Sequence, residues 1–297
     1  MDNINFSLLL PTRARPKQLR RFLDSVYQCS LFPQEIEIIL FLDEDDNSMF
    51  GFDYPNLKIK KLVQARNTMG FYNTSCLMIS EGNIIIAVND DIVIKTLAWD
   101  RKILNFHKNQ SNPIYLAYPN DLHKKGKLPT FPILSKETCE RLKSVFPIEY
   151  KGSFLDLHLF DIFMRLKKQG INRIFFLKNI IFEHLHFRNK KAKFDETYQQ
   201  RRRFSDDCVF VSLSKFRQTE AYGLIRFCSF LNHYEQDYFF DVCKIHYQDD
   251  KEKFFSKIIF YFSFLIFDKN ISFSWRIYLF YYFIARLLFS IFFDTKK

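Results

Sequence analysis

The chain has 297 residues, enough for one large domain or a domain with an appendage, and enough to bury a substantial core. Hydrophobic residues make up 47% and charged residues 26%, which excludes a disordered chain, while a net charge of +11 predicts attraction to something anionic: nucleic acid, a phospholipid surface or a phosphorylated substrate. Six cysteines with no C-x-x-C pair exclude a zinc site and a disulfide framework, and read as free thiols in a reducing compartment.

Met1 to Asn5 carries no basic segment leading into a long apolar run, so no signal peptide is expected and a cytoplasmic protein is. Phe6 to Leu10 reads as a short apolar strand. Pro11-Thr12-Arg13-Ala14-Arg15-Pro16 is a turn whose second proline can open a helix through Leu19, Phe22, Leu23 and Val26. Ile36 to Leu42 is a second buried strand, which stops at Asp43-Glu44-Asp45-Asp46. Leu57 to Val63 is a third, and Asn73 to Ser80 a helix closed by Gly82. Ile84-Ile85-Ile86-Ala87-Val88 then ends abruptly in Asn89-Asp90-Asp91. This alternation describes an α/β protein with a mostly parallel sheet and crossover helices.

A buried strand carries no charge along its length, so acids at its carboxyl end are delivered to the sheet rim, where open α/β folds place their ligands. Hard oxygen donors this close suit Mg²⁺ or Mn²⁺ and, through the ion, the phosphates of a nucleotide; a solvated turn is the bland alternative. Neither G-x-G-x-x-G nor G-x-x-x-x-G-K-[ST] occurs.

Farther on, Gly152 to Gly170 reads as a loop entering an amphipathic helix, with Asp156 and Asp161 too far apart around it to face one substrate. Ile180 to Phe187 is strand-like, which puts His184 and His186 on one face. Lys193 and Arg201-Arg202-Arg203 are phosphate contacts or a solvated basic face, and His123 to Lys127 a mobile acceptor loop or merely an exposed one. Near the C-terminus, Phe254 to Phe267 and Ile277 to Phe293 carry one charge each, Lys257 and Arg286. Both fall short of the roughly 20 apolar residues of a spanning helix. They read as aromatic helices lying on a membrane surface, as a core packed on the first domain, or as a dimerising hairpin.

Taken in order, Pro11-Thr12-Arg13, Asp43, Ala65-Arg66-Asn67 with Gly70, Ser80-Glu81-Gly82 and Asn89-Asp90-Asp91 resemble the nucleotide-sugar half of the A-type glycosyltransferase (GT-A) fold, closest to glycosyltransferase family two. The similarity resumes at Asp156 to Gly170 and at Glu183 to Tyr198. The resemblance implies that Asp43 binds the base of the nucleotide, that Arg66 and Asn67 lie near base and pyrophosphate, and that Asn89, in place of the usual aspartate, holds the ribose. It places Pro11, Arg13 and Asp90 in the same donor site. Asp91 would hold the metal with His184 or His186, Lys193 would close over the diphosphate, and Asp156 or Asp161 would deprotonate the acceptor.

The implied activity is inverting transfer of one sugar, dependent on Mn²⁺ or Mg²⁺, from a UDP-sugar donor to a saccharide or lipid-linked glycan acceptor in surface polysaccharide assembly. The implied layout is a catalytic domain at residues 1–215 and a helical, membrane-associating region at 216–297, peripheral on the cytosolic face of the membrane, with no nucleic-acid partner and a dimer left open. Two rival classes remain. A sugar-nucleotide nucleotidyltransferase should carry glycine between Pro11 and Pro16, and none is there. A non-enzymatic membrane-surface protein would use the charge without a site.

Overall fold

The computed structural model of the chain describes residues 4–49, 51–187, 191–192, 204–229 and 254–294. β1 (Phe6–Thr12) and β2 (Ile36–Asp43) are buried at every position, as strands covered on both faces must be. Between them α1 (Pro16–Cys29) starts on Pro16, whose fixed φ and missing N–H suit a first helical turn, and buries Leu19, Phe22, Leu23 and Val26. β3 (Lys58–Gln64) forms one sheet edge, and its three lysines blunt that edge against further pairing. α2 (Met69–Met78) begins at Met69 rather than at the expected Asn73, because Thr68 caps it: the hydroxyl accepts from the Phe71 N–H at 3.1 Å. β4 (Ile84–Ala87) follows where the apolar run predicts it.

The next segment adds three short strands, β5 (Ile92–Ile94), β6 (Leu116–Asn120) and β7 (Ile133–Ser135), with α3 (Trp99–Lys108) and α4 (Lys136–Arg141) among them. α5 (Leu155–Lys168) and β8 (Ile174–His184) complete the sheet. The order across it is β3-β2-β1-β4-β7-β6-β8-β5. β1 to β4 are parallel, β7 runs antiparallel between β4 and β6, and β5 pairs antiparallel with β8. This is a mixed, mostly parallel sheet flanked by helices.

Alternation along the strands splits the core in two. Phe6, Leu8 and Leu10 of β1 face α1 and α3, where Phe22 and Trp99 are fully buried. Leu9 of β1 and Ile85 of β4 face the other layer, which holds α2, α4 and α5. To that second layer the chain adds α6 (Asp207–Ser212), α7 (Ser214–Cys228), α8 (Phe254–Tyr261), a π-helical turn at Phe262–Ile266 and α9 (Phe273–Asp294). Leu224 of α7, Tyr261 of α8 and Leu279, Phe283 and Leu287 of α9 share one apolar cluster with Leu159, Phe163 and Leu166 of α5. The division expected at residue 215 falls inside α7. Among the described residues no helix is long and apolar enough to cross a membrane.

Candidate active site

Parallel strands deliver their carboxyl ends to one rim, and here β1, β2 and β4 open a cleft of about 710 Å³. Pro11 and Arg13 line it from the end of β1, Asp43 from β2, Asn89, Asp90 and Asp91 from β4, and Arg66 and Asn67 from the turn before α2. The far wall brings in Asp156, His184 and His186. Residues spread over most of the chain thus meet at one place.

Asp43 is buried at the floor. Its Oδ1 accepts from the Tyr72 hydroxyl at 2.6 Å and its Oδ2 from Arg13 Nη1 at 2.8 Å. Tyr72 in turn accepts from the Asn67 N–H at 2.7 Å, so the carboxylate, the tyrosine and the Arg66–Asn67 turn form one network. Burial and the bond to Asp43 push the Tyr72 phenol up, and it stays a donor. Arg13 also pairs with Asp45, through Nη2 to Oδ2 at 2.9 Å. Asp43 therefore presents an acceptor-only group held from two sides.

The two adjacent acids after β4 part company: both line the cleft, but they are engaged by different partners. Its carboxylate accepts from Thr12 Oγ1 at 2.7 Å and pairs with Arg15 at 3.0 Å, a buried clasp between β4 and the turn after β1. Burial outweighs Arg15 and lifts Asp90 to about 6. Asp91 lies the other way. Its Oδ1 is 3.3 Å from His184 Nε2, and its backbone carbonyl accepts from the Leu185 N–H at 2.7 Å. The His186 ring sits 5.1 Å from that of His184, and His123 stacks on His186 at 6.2 Å.

On the far wall, Gly70 is the hinge of the geometry: a Cβ there would lie 1.9 Å from the Pro147 carbonyl oxygen. Only glycine lets the 147–150 segment lie on the start of α2, where the Gly70 N–H donates to Tyr150 at 3.0 Å. Lys151 to Ser153 then lead into α5 and place half-buried Asp156, at its first turn, in the cleft. Asp161 does not join it, which corrects its candidacy as base. It is fully buried away from the cleft, where Oδ2 accepts from Arg217 at 2.6 Å and Arg165 at 3.1 Å, and Oδ1 from Trp275 at 2.8 Å. The two arginines hold it well below the usual carboxylate range although burial opposes them. Lys193 and Arg201 to Arg203 lie outside the described residues.

A divalent ion fits this donor set in one way. Among the described residues no three His, Cys, Asp or Glu side chains form a ready metal cage. Asp91 and His184 supply one carboxylate and one imidazole on the cleft wall, the arrangement of an ion that takes its remaining ligands from substrate phosphates and water. Sequence reasoning gave no role of their own to Thr12, Arg15, Tyr72 and Asp206. Each works through partners made neighbours only by folding, such as Thr12 with Asp90 or Asp206 with the 151–153 backbone. His123, named only within a loop read as an acceptor loop or an exposed one, lines the cleft beside His186.

No protein-family model matches the sequence, and no curated protein does. Solved structures match by fold. S. aureus TarS 1-349 in complex with UDP superposes at 15% identity and a TM-score of 0.53, over 97% of this chain and 91% of that one. The Pyrobaculum calidifontis mannosyltransferase PcManGT, in complex with GDP-Man and Mn²⁺, does so at 9% identity and a TM-score of 0.51, over 99% and 88%. A longer TarS structure is spanned by this chain over 54% of its length. The fold is that of A-type glycosyltransferases.

Proposed function

We propose that the protein is a glycosyltransferase that uses a nucleotide diphosphate sugar and a divalent cation. One observation carries the reading: one cleft at the carboxyl ends of β1, β2 and β4 gathers Asp43, the Arg66–Asn67 turn, Asp91 with His184, and Asp156 on the opposite wall. Asp43, which accepts from both neighbours, matches bases that present a ring N–H, uracil and guanine alike, and a UDP-sugar is the donor read here. Arg66 lies beside the diphosphate, and Asn89 at the ribose.

Asp91 and His184 would hold the Mn²⁺ or Mg²⁺, with His186 beside them. When bound, the cation neutralises the charge that develops on the leaving diphosphate. Asp156 accepts the proton of the acceptor hydroxyl as that oxygen forms its bond to the anomeric carbon and the diphosphate departs, a single displacement that inverts the centre. Asp156 stands on the wall across from the strand ends, and this supports in-line attack.

The acceptor is a saccharide or lipid-linked glycan reached at a membrane surface. The outward side of α9 supports that location: Tyr278, Tyr281, Leu288 and Phe289 are all exposed at helical spacing, with Lys269 and Arg276 nearby in sequence. Thermal unfolding with UDP and MnCl₂ tests the enzyme reading. The midpoint rises with both present, and Asp91→Asn removes at least the roughly 10–100-fold in Mn²⁺-supported affinity that even an outer partner of a metal ligand contributes. No shift with UDP, GDP or their sugars under any divalent ion would sink it.

A further inference from the structure

The loop that introduces Asp156 is held by a residue distant from it in sequence. Asp206, 1% exposed, accepts three consecutive backbone N–H groups: Lys151 at 3.1 Å, Gly152 at 2.9 Å and Ser153 at 2.7 Å. A carboxylate that takes three N–H donors in a row defines the path of that backbone. The next residue, Asp207, is buried and engaged by Arg286 of α9, whose Nε lies 2.9 Å and Nη2 2.7 Å from its carboxylate oxygens. The same guanidinium lies 4.8 Å over the ring of Phe154, the residue between the clamped loop and α5.

Phe154 has φ 68°, a left-handed conformation unfavourable for a bulky side chain. Such a conformation persists only where the surroundings over-determine it. Here Phe210 of α6 and Phe283 of α9 pack on the ring at 5.6 and 5.3 Å while Asp206 secures the chain just before it. The direction in which α5 leaves the loop, and with it the placement of Asp156, depends on both supports.

We propose that Asp206 is a positioning residue for the acceptor-side wall, and that α9 completes the latch through Arg286. The C-terminal helices would then shape the site rather than merely accompany it. This rests on the reading of Asp156 as the base, but the latch itself is testable apart from chemistry.

The test is amide hydrogen exchange on the full chain, comparing wild type with Asp206→Asn, which keeps the shape but turns an amide donor toward backbone donors. Arg286→Lys, which keeps the charge and loses the two-pronged contact, is the second variant. Exchange over Lys151 to Leu157 should accelerate about 10-fold or more in Asp206→Asn and less in Arg286→Lys, with β1 and α1 unchanged. Affinity for UDP with MnCl₂ should stay within about twofold, while turnover falls by up to about 10²-fold at unchanged donor KM. Unchanged exchange at 151–157 in Asp206→Asn, acceleration spread equally over the molecule, or UDP affinity falling as far as turnover would each overturn the proposal. Should the wild-type chain bind no nucleotide, the glycosyltransferase reading fails while the exchange result still decides the latch.

Discussion

At the scale of single residues, two aspartates on one helix show how placement sets role. Asp156 is half-buried in the cleft, and Asp161 is sealed among Arg165, Arg217 and Trp275. Asp156→Asn should leave stability within about 0.5 kcal/mol, as for other substitutions away from packed networks, and cut transfer about 10²–10⁴-fold. Asp161→Ala should instead lower unfolding stability by about 3–5 kcal/mol, because it removes the carboxylate paired with the buried Arg217 guanidinium and leaves Arg165 with Asp268 alone. Denaturant midpoints and turnover measured side by side separate the two. A third acid, Glu220 on α7, is lifted by burial from its ordinary 4.5 to about 7, although its carboxylate accepts the Lys143 N–H at 2.7 Å. Its folded pKa lies above the unfolded one, so the native state holds the extra proton between those values. Wild type and Glu220→Gln should therefore match at pH 4, and wild type should fall behind as pH rises to 7 by about 3 kcal/mol. Urea titrations of both proteins across that range check the sign.

At the scale of elements, close backbone approach governs the site. Gly70→Ala would force the start of α2 away from Pro147, and a loss of about 1–3 kcal/mol is expected together with weaker UDP binding. Calorimetry reads both. The elements themselves were unequally legible. β1, β2, β4 and α1 showed themselves through unbroken apolar runs and a proline at a helix start, signals that burial on two faces and fixed φ impose directly. The place of Asp43 and Asp91 at the sheet rim was readable for the same reason, as charges that follow such runs. β5 and β7 were not, since three residues carry too little periodicity. Nor were the partners of adjacent Asp90 and Asp91 visible: Arg15 claims one and His184 meets the other, and neither is near in sequence. Asp161 was misjudged because Arg217 and Trp275, which seal it, are remote in sequence, and Arg165 one turn along the helix reads equally as a surface pair.

At the scale of the whole molecule, α9 has two faces with different duties. Leu279, Phe283 and Leu287 enter the core, whereas Tyr278, Tyr281 and Phe289 face outward. Phe283→Ala should destabilise the fold by about 3–5 kcal/mol. The triple change of Tyr278, Tyr281 and Phe289 to Ser should leave the unfolding midpoint nearly unaltered and abolish co-sedimentation with phosphatidylserine vesicles. Retained vesicle binding in the triple variant would remove the membrane-surface assignment.

The pairing of β5 with β8 sets Ile92 opposite His184, and the Leu185 N–H closes on Asp91. Asp91 is thus laid down early in the chain and its neighbour His184 roughly ninety residues later, across a long loop closure. On the function proposed above, a nascent or fragmentary chain ending before His184 would lack the imidazole that faces Asp91, and the cation site would be complete only once β8 has emerged and docked.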